Sequence, residues 1–77
     1  MNLPTDTDHL KVNTADGMTF IIMLTAVPDQ RFPGRRFLIG EVGGARFYAS
    51  FCDRRAVAEN AIRRAFVDAY QFGVEAG

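Results

Sequence analysis

The chain has 77 residues, a hydrophobic content of 48% that includes nine aromatics, and nine basic side chains balanced by nine acidic ones. That is ample apolar material for one folded domain spanning 1–77, too little length for two cores, and it excludes a disordered chain. The lone cysteine, Cys52, excludes an intramolecular disulfide, and no Cys or His cluster offers a metal site.

Residues 1–8, with Pro4 and alternating Thr and Asp, have little to bury and read as a loose arm, with the sheet occupying 9–51. His9 to Ala15 alternates modestly and forms a first strand. Asp16-Gly17 follows, the dipeptide suited to positive φ at both centres of a type I′ turn. Met18 to Val27 is apolar on both faces, with Phe20, Ile22 and Leu24 opposed to Ile21, Met23 and Val27, which marks an interior strand.

Pro28 to Arg35 is a loop by its prolines, glycine and aspartate, yet it carries Arg31, Phe32 and Arg35. Arg36–Val42 and Ala45–Phe51 are two further strands separated by Gly43-Gly44. A two-residue turn there sets Val42 opposite Ala45, Glu41 opposite Arg46, Gly40 opposite Phe47 and Ile39 opposite Tyr48. One face then holds Leu38, Val42, Phe47, Ala49 and Phe51. The other holds Phe37, Ile39, Glu41, Arg46, Tyr48 and Ser50.

Asp53 to Phe72 runs without proline or glycine and is amphipathic on a 3.6-residue period. Ala58, Ala61, Ile62, Ala65, Phe66, Ala69 and Phe72 share one side and are expected to face the sheet, with Ala65 against Phe47 or Leu38. Asp53 is the expected N-cap and Gly73 the expected left-handed C′ residue. Glu59 and Asp68 are expected to pair with Arg63 and Arg64 at helical spacing.

The architecture that follows is α+β: a four-stranded antiparallel meander with one C-terminal helix (53–72) on one face, β-β-β-β-α. One helix covers one side of a sheet, so the face bearing Phe37, Ile39 and Tyr48 is left to solvent or to a partner.

Charge is segregated along the chain. Residues 1–30 carry one lysine against four aspartates, a net of −3. Residues 31–64 carry eight arginines against three acids, a net of +5, and the remainder carries −2. Arginine suits carboxylate and phosphate recognition, although an ordinary solvated surface has the same composition.

No catalytic constellation stands out. His9 and Cys52 are the one Cys–His pair, with His9 at the start of an edge strand and Cys52 at a strand–helix junction. Ser50 lacks an evident base, and Gly43-Gly44 is a hairpin turn rather than a phosphate loop. A non-enzymatic protein without cofactor or metal is expected. The longest apolar run, Phe20 to Leu24, is too short to cross a bilayer, so a cytoplasmic location is expected.

Two resemblances bear on function. The segment ASFCDRRAVAENAIRRAF (49–66) resembles the last strand and helix of a double-stranded-RNA-binding domain, with Arg54 and Arg55 as its basic pair and Ala58, Ala61 and Ala65 following. The family's first helix has no counterpart here. By overall build (tiny, cysteine-poor, one small sheet, one helix, arginine-bearing loops) the chain also resembles phage-encoded anti-CRISPR proteins directed at type I surveillance complexes. That resemblance implies a stoichiometric inhibitor with a protein partner in the host cytoplasm. The alternatives are a nucleic-acid-binding module using arginines with Tyr48 as a stacking platform, and a homodimer through the spare face. The residues expected to bind the partner are Arg31, Phe32, Arg35, Arg36, Phe37, Ile39, Arg46 and Tyr48.

Overall fold

In the computed structural model, which describes residues 6–76, four strands form one antiparallel sheet: β1 (Asp6–Asn13), β2 (Thr19–Pro28), β3 (Arg36–Val42) and β4 (Ala45–Phe51). They lie in chain order, and α1 (Arg55–Ala76) follows. The expected β-β-β-β-α order and α+β class therefore hold.

The third and fourth strands match their expected limits, and so does their register: Ile39 opposes Tyr48, Gly40 opposes Phe47, and Glu41 opposes Arg46. Gly43 and Gly44 both have positive φ (56° and 83°), as a type I′ turn requires. The other hairpin differs from expectation. Gly17 alone is left-handed (φ 91°), while Asp16 is not. The Gly17 amide donates to the Thr14 carbonyl, and the Thr14 amide donates to the Met18 carbonyl. Asp16 instead uses its carboxylate, which accepts from the Thr14 hydroxyl and from the Met18 amide. An aspartate that satisfies neighbouring donors in this way has no need of the left-handed conformation.

β1 begins at Asp6 and ends at Asn13, so the limits 9–15 are corrected at both ends. Of the arm expected over 1–8, residues 1–5 lie outside the described residues. Asp6, Thr7 and Asp8 pair with Ala26, Thr25 and Leu24. The ten-residue β2 offers backbone partners along this length, and ladder hydrogen bonding does not require apolar side chains.

The helix also departs from its expected limits. It starts at Arg55, where the Arg54 carbonyl accepts from the Val57 amide, so Asp53 lies outside it and is not the N-cap. It continues through Gly73, which has no positive φ and is not a C′ residue. A glycine inside a helix costs only about 1 kcal/mol relative to alanine, and here that does not stop the helix.

The core lies between the helix and one sheet face. Leu10, Val12, Ile22, Leu24, Ala26, Leu38 and Phe51 meet Ala58, Ile62 and Phe66, with Phe20, Val42, Phe47, Ala49, Val67 and Tyr70 packed around them. The sheet residues are those expected, but the helix is rolled. Ala61, Ala65, Ala69 and Phe72 are exposed, and Ala65 does not lie against the sheet. Volume decides this. Phe20 meets Phe66 and Tyr70 edge-on with centroids 5.1 Å apart, and Phe47 meets Phe66 at 6.1 Å. Burying Val67 and Tyr70 removes far more apolar area from water than burying two alanines would. The Tyr70 hydroxyl then donates to Asp16 Oδ2 at 2.7 Å, fastening the helix to the β1–β2 turn.

Candidate functional site: the open face of the sheet

Strand alternation leaves one set of side chains on the face away from the helix. The register arranges them in rows: Lys11 beside Ile21; His9, Met23, Glu41 and Arg46; Thr25, Ile39 and Tyr48; then Val27, Phe37 and Ser50. Ile21, Met23 and Tyr48 are 47%, 50% and 60% exposed, and Val27, Phe37 and Ile39 are half-buried between them. No element of the described chain covers this face. Tyr48 and Arg46 point outward, as the turn register requires.

The β2–β3 loop borders the lower end of this face and is closely held. Its ends are tied by the Asp29 amide donating to the Arg35 carbonyl at 3.0 Å. Within it, the Arg31 amide donates to Asp29 Oδ1 at 3.0 Å, and the Phe32 amide donates to the Asp29 carbonyl at 3.2 Å. Pro33 and Gly34 (φ 86°) then make a turn of type II, closed by the Arg35 amide on the Phe32 carbonyl. This sequence fixes where Arg31, Phe32 and Arg35 stand.

Asp29 is buried, and Arg31 donates to it through Nε at 3.3 Å and through a terminal nitrogen at 3.5 Å. Burial pushes the Asp29 carboxyl up, but the Arg31 hydrogen bonds and the Arg31 and Arg35 charges outweigh it. The net result is a value below the ordinary one. The Arg31 guanidinium lies 5.4 Å from the ring centroids of both Phe32 and Phe37, so it links the loop to β3. Arg35 reaches across to β4, with Nε donating to Ser50 Oγ at 3.1 Å and a terminal nitrogen 3.4 Å from Cys52 Sγ. Asp29, Arg31, Phe32, Arg35 and Ser50 surround an open cleft of about 430 Å³. Arg46 donates to Glu41 at 3.0 Å, the cross-strand pair expected from the register.

Of the eight residues expected to form a site, seven lie on the open face or the loop beside it. Arg36 does not. It alternates with Phe37, pairs with Phe51, and belongs to the helix side at the end of the sheet. Sequence reasoning also missed members of the face. β2 is the interior strand expected, and Ile21, Met23 and Val27 are its second apolar side, which the expected site residues do not include. In a two-layer fold, an interior strand flanked by strands still shows one of its faces to solvent. Asp29 was read only as loop punctuation, although an acid two residues before Arg31 is the signal for a turn that its side chain closes.

The arginine pair of the helix start is divided. Arg54 is exposed, whereas Arg55 is partly buried and holds Glu59 at 3.0 Å, with Asp8 at 3.9 Å. Glu59 therefore pairs with Arg55 rather than Arg63, which donates to Asn60 at 2.9 Å. His9 on β1 and Cys52 beyond β4 lie toward opposite edges of the sheet. Cys52 is an exposed free thiol. Among the described residues no helix is long and apolar enough to cross a membrane. Comparison with protein-family models, curated proteins and solved structures returns no match to this chain.

Proposed function

We propose that this is a non-enzymatic binding protein whose working surface is the open sheet face together with the Asp29–Arg35 loop. One observation carries the reading: Ile21, Met23 and Tyr48, each about half exposed, are continuous with Phe37 and Ile39 on a face that the helix leaves bare. Aromatic and arginine side chains around an apolar centre are the usual anchors of a protein interface. A rigid sheet that presents them needs little reordering on binding, which favours tight stoichiometric association.

The finer proposal is that the protein is a phage-encoded inhibitor of a bacterial type I CRISPR surveillance complex. It rests on likeness of build, namely small size, one sheet, one helix and a bare face edged with arginines.

Titrating the purified protein against a reconstituted type I complex, and in parallel against single- and double-stranded DNA and RNA at two salt concentrations, tests both levels. Saturable binding to the protein complex at a fixed ratio, little weakened by salt, is the expected result. Binding to nucleic acid alone, falling steeply with salt, would replace the reading with a nucleic-acid module.

A further inference from the structure

Two of the three arginines at the open face already have counter-charges. Arg31 is held by buried Asp29, and Arg46 by Glu41. Arg35 differs. Its direct contacts are a hydroxyl and a thiol, Ser50 Oγ and Cys52 Sγ, while the Asp29 carboxylate, already held by Arg31, feels the Arg35 charge only from beyond contact. A guanidinium offers five N–H donors, and these two neutral contacts leave most of them unused. Yet Arg35 is not loose. The Pro33-Gly34 turn sets its backbone, and the two contacts lay its side chain along the end of β4. It is a cation held in place at a cleft that Asp29, Arg31, Phe32 and Ser50 also line, so two guanidiniums there stand against one carboxylate.

We propose that the partner of the open face places a carboxylate side chain on Arg35, next to an apolar patch that covers Ile39 and Tyr48. This inference rests on the reading of that face as a protein-binding surface and adds the chemistry of what binds there. Charge complementarity carries it. Arg31 and Arg46 have carboxylates in contact, so the cleft keeps one positive charge in excess, that of Arg35, at the lower end of an apolar surface. A carboxylate accepting from a guanidinium fills that vacancy with paired, charge-assisted hydrogen bonds. Strand geometry gives the spacing: Ser50, on which Arg35 lies, is two residues from Tyr48, roughly 7 Å along β4. A nucleic-acid strand asks for something else, a track of unneutralised cations in step with successive phosphates. Here such a track would pass Glu41 and meet arginines that are already paired.

The test uses the full chain, labelled with nitrogen-15 and followed by NMR. The probes are phenylpropionate, which joins an apolar ring to a carboxylate, its uncharged amide phenylpropionamide, and oligothymidylate. Phenylpropionate is expected to shift the Arg35 Nε–H signal together with Ile39 and Tyr48, and to bind roughly tenfold more tightly than the amide. In Arg35→Gln, with melting unchanged, the acid and the amide should bind alike. Equal binding of acid and amide to the wild type overturns the proposal, and so does an acid that leaves Arg35 unmoved. Oligothymidylate shifting Arg35 where phenylpropionate does not would also overturn it, in favour of nucleic acid. Failure of the underlying reading looks different. A protein partner lost by Tyr48→Ala but kept at full strength by Arg35→Gln removes only the carboxylate anchor. A partner indifferent to both variants removes the open face as the site.

Discussion

Ile62 sits directly on Gly40. A Cβ built on that glycine would stand 2.8 Å from the Ile62 Cγ2 methyl and 2.9 Å from the Ile22 Cγ2 methyl. The helix therefore approaches β3 at a point where only glycine fits, and the gap in one strand admits a side chain from the other layer. Ile62 and Ile22 are both essentially inaccessible to solvent, so neither methyl has free space to retreat into. Gly40→Ala is expected to cost about 1–3 kcal/mol by overpacking. Ile62→Ala costs about 2–5 kcal/mol on its own by leaving a cavity. The double variant should be more stable than the sum of the two losses, because the added methyl partly fills the space vacated. Melting temperatures of the four proteins check this; strictly additive losses would show that the contact is not what excludes a side chain at 40.

The roll of the helix gives a second contrast. Ala58 is 1% exposed, whereas Ala65 is exposed. Ala58→Arg should unfold the domain, since it drives a charge into the core with no partner. Ala65→Arg should move stability by no more than about 0.5 kcal/mol. Thermal melting of both variants decides the matter, and a collapse of Ala65→Arg would mean that the alanine flank is the buried one after all.

Acid should weaken the fold through two identifiable carboxylates. Asp16 is held below the ordinary value of 3.8 by hydrogen bonds from Thr14 and Tyr70. Asp29 is held below it by Arg31, which overcomes the opposing effect of burial. A group whose folded pKa is depressed stabilises the fold above its unfolded value, and that contribution is lost as pH falls through the folded one. Stability should therefore hold steady from pH 7 to about 5 and drop once the pH passes below 3.8. Asp16→Asn should make the acid limb shallower. Tyr70 is shifted the other way, raised above 10.0 chiefly by its hydrogen bond to Asp16. Its contribution is present below 10.0 and lost as pH rises through the folded value, so Tyr70→Phe should remove that part of the alkaline decline. Acid and alkaline limbs unchanged in these variants would contradict the network.

Much of the fold was legible because short-range chemistry dictates it. Gly43-Gly44 demands a two-residue turn, and that turn alone fixes which residues of β3 and β4 face each other and which way Tyr48 points. The helix roll was not legible in the same way. Periodicity finds an apolar stripe, but the chain from 57 to 72 has apolar residues on both flanks of Ile62 and Phe66. The choice between the alanines and the Val67–Tyr70 side depends on Phe20, 46 residues before Phe66 and on another strand. Gly40 shows the same limit. From β3 and β4 alone it looks like room for Phe47, and only the packed helix reveals that the room belongs to Ile62. At the candidate site, the local pattern exposed Arg31, Phe32 and Arg35 as unusual loop residues. The separation of Arg35 from Arg31 and Arg46 is tertiary, since it depends on which cations meet a carboxylate once the loop is closed.

The proposed working surface is the open sheet face and not the outer helix. Its most direct test is affinity for the type I surveillance complex, or for whichever purified host protein binds the wild type, measured with Tyr48→Ala, Met23→Glu and Ala61→Arg. Tyr48 and Met23 lie on the open face and Ala61 on the exposed helix flank, so all three should keep wild-type melting within a few degrees. Tyr48→Ala is expected to weaken binding by about 2 kcal/mol or more, Met23→Glu to weaken it comparably, and Ala61→Arg to leave it unchanged. Normal binding by both sheet variants, with loss in Ala61→Arg, would contradict that assignment and move the working surface to the helix.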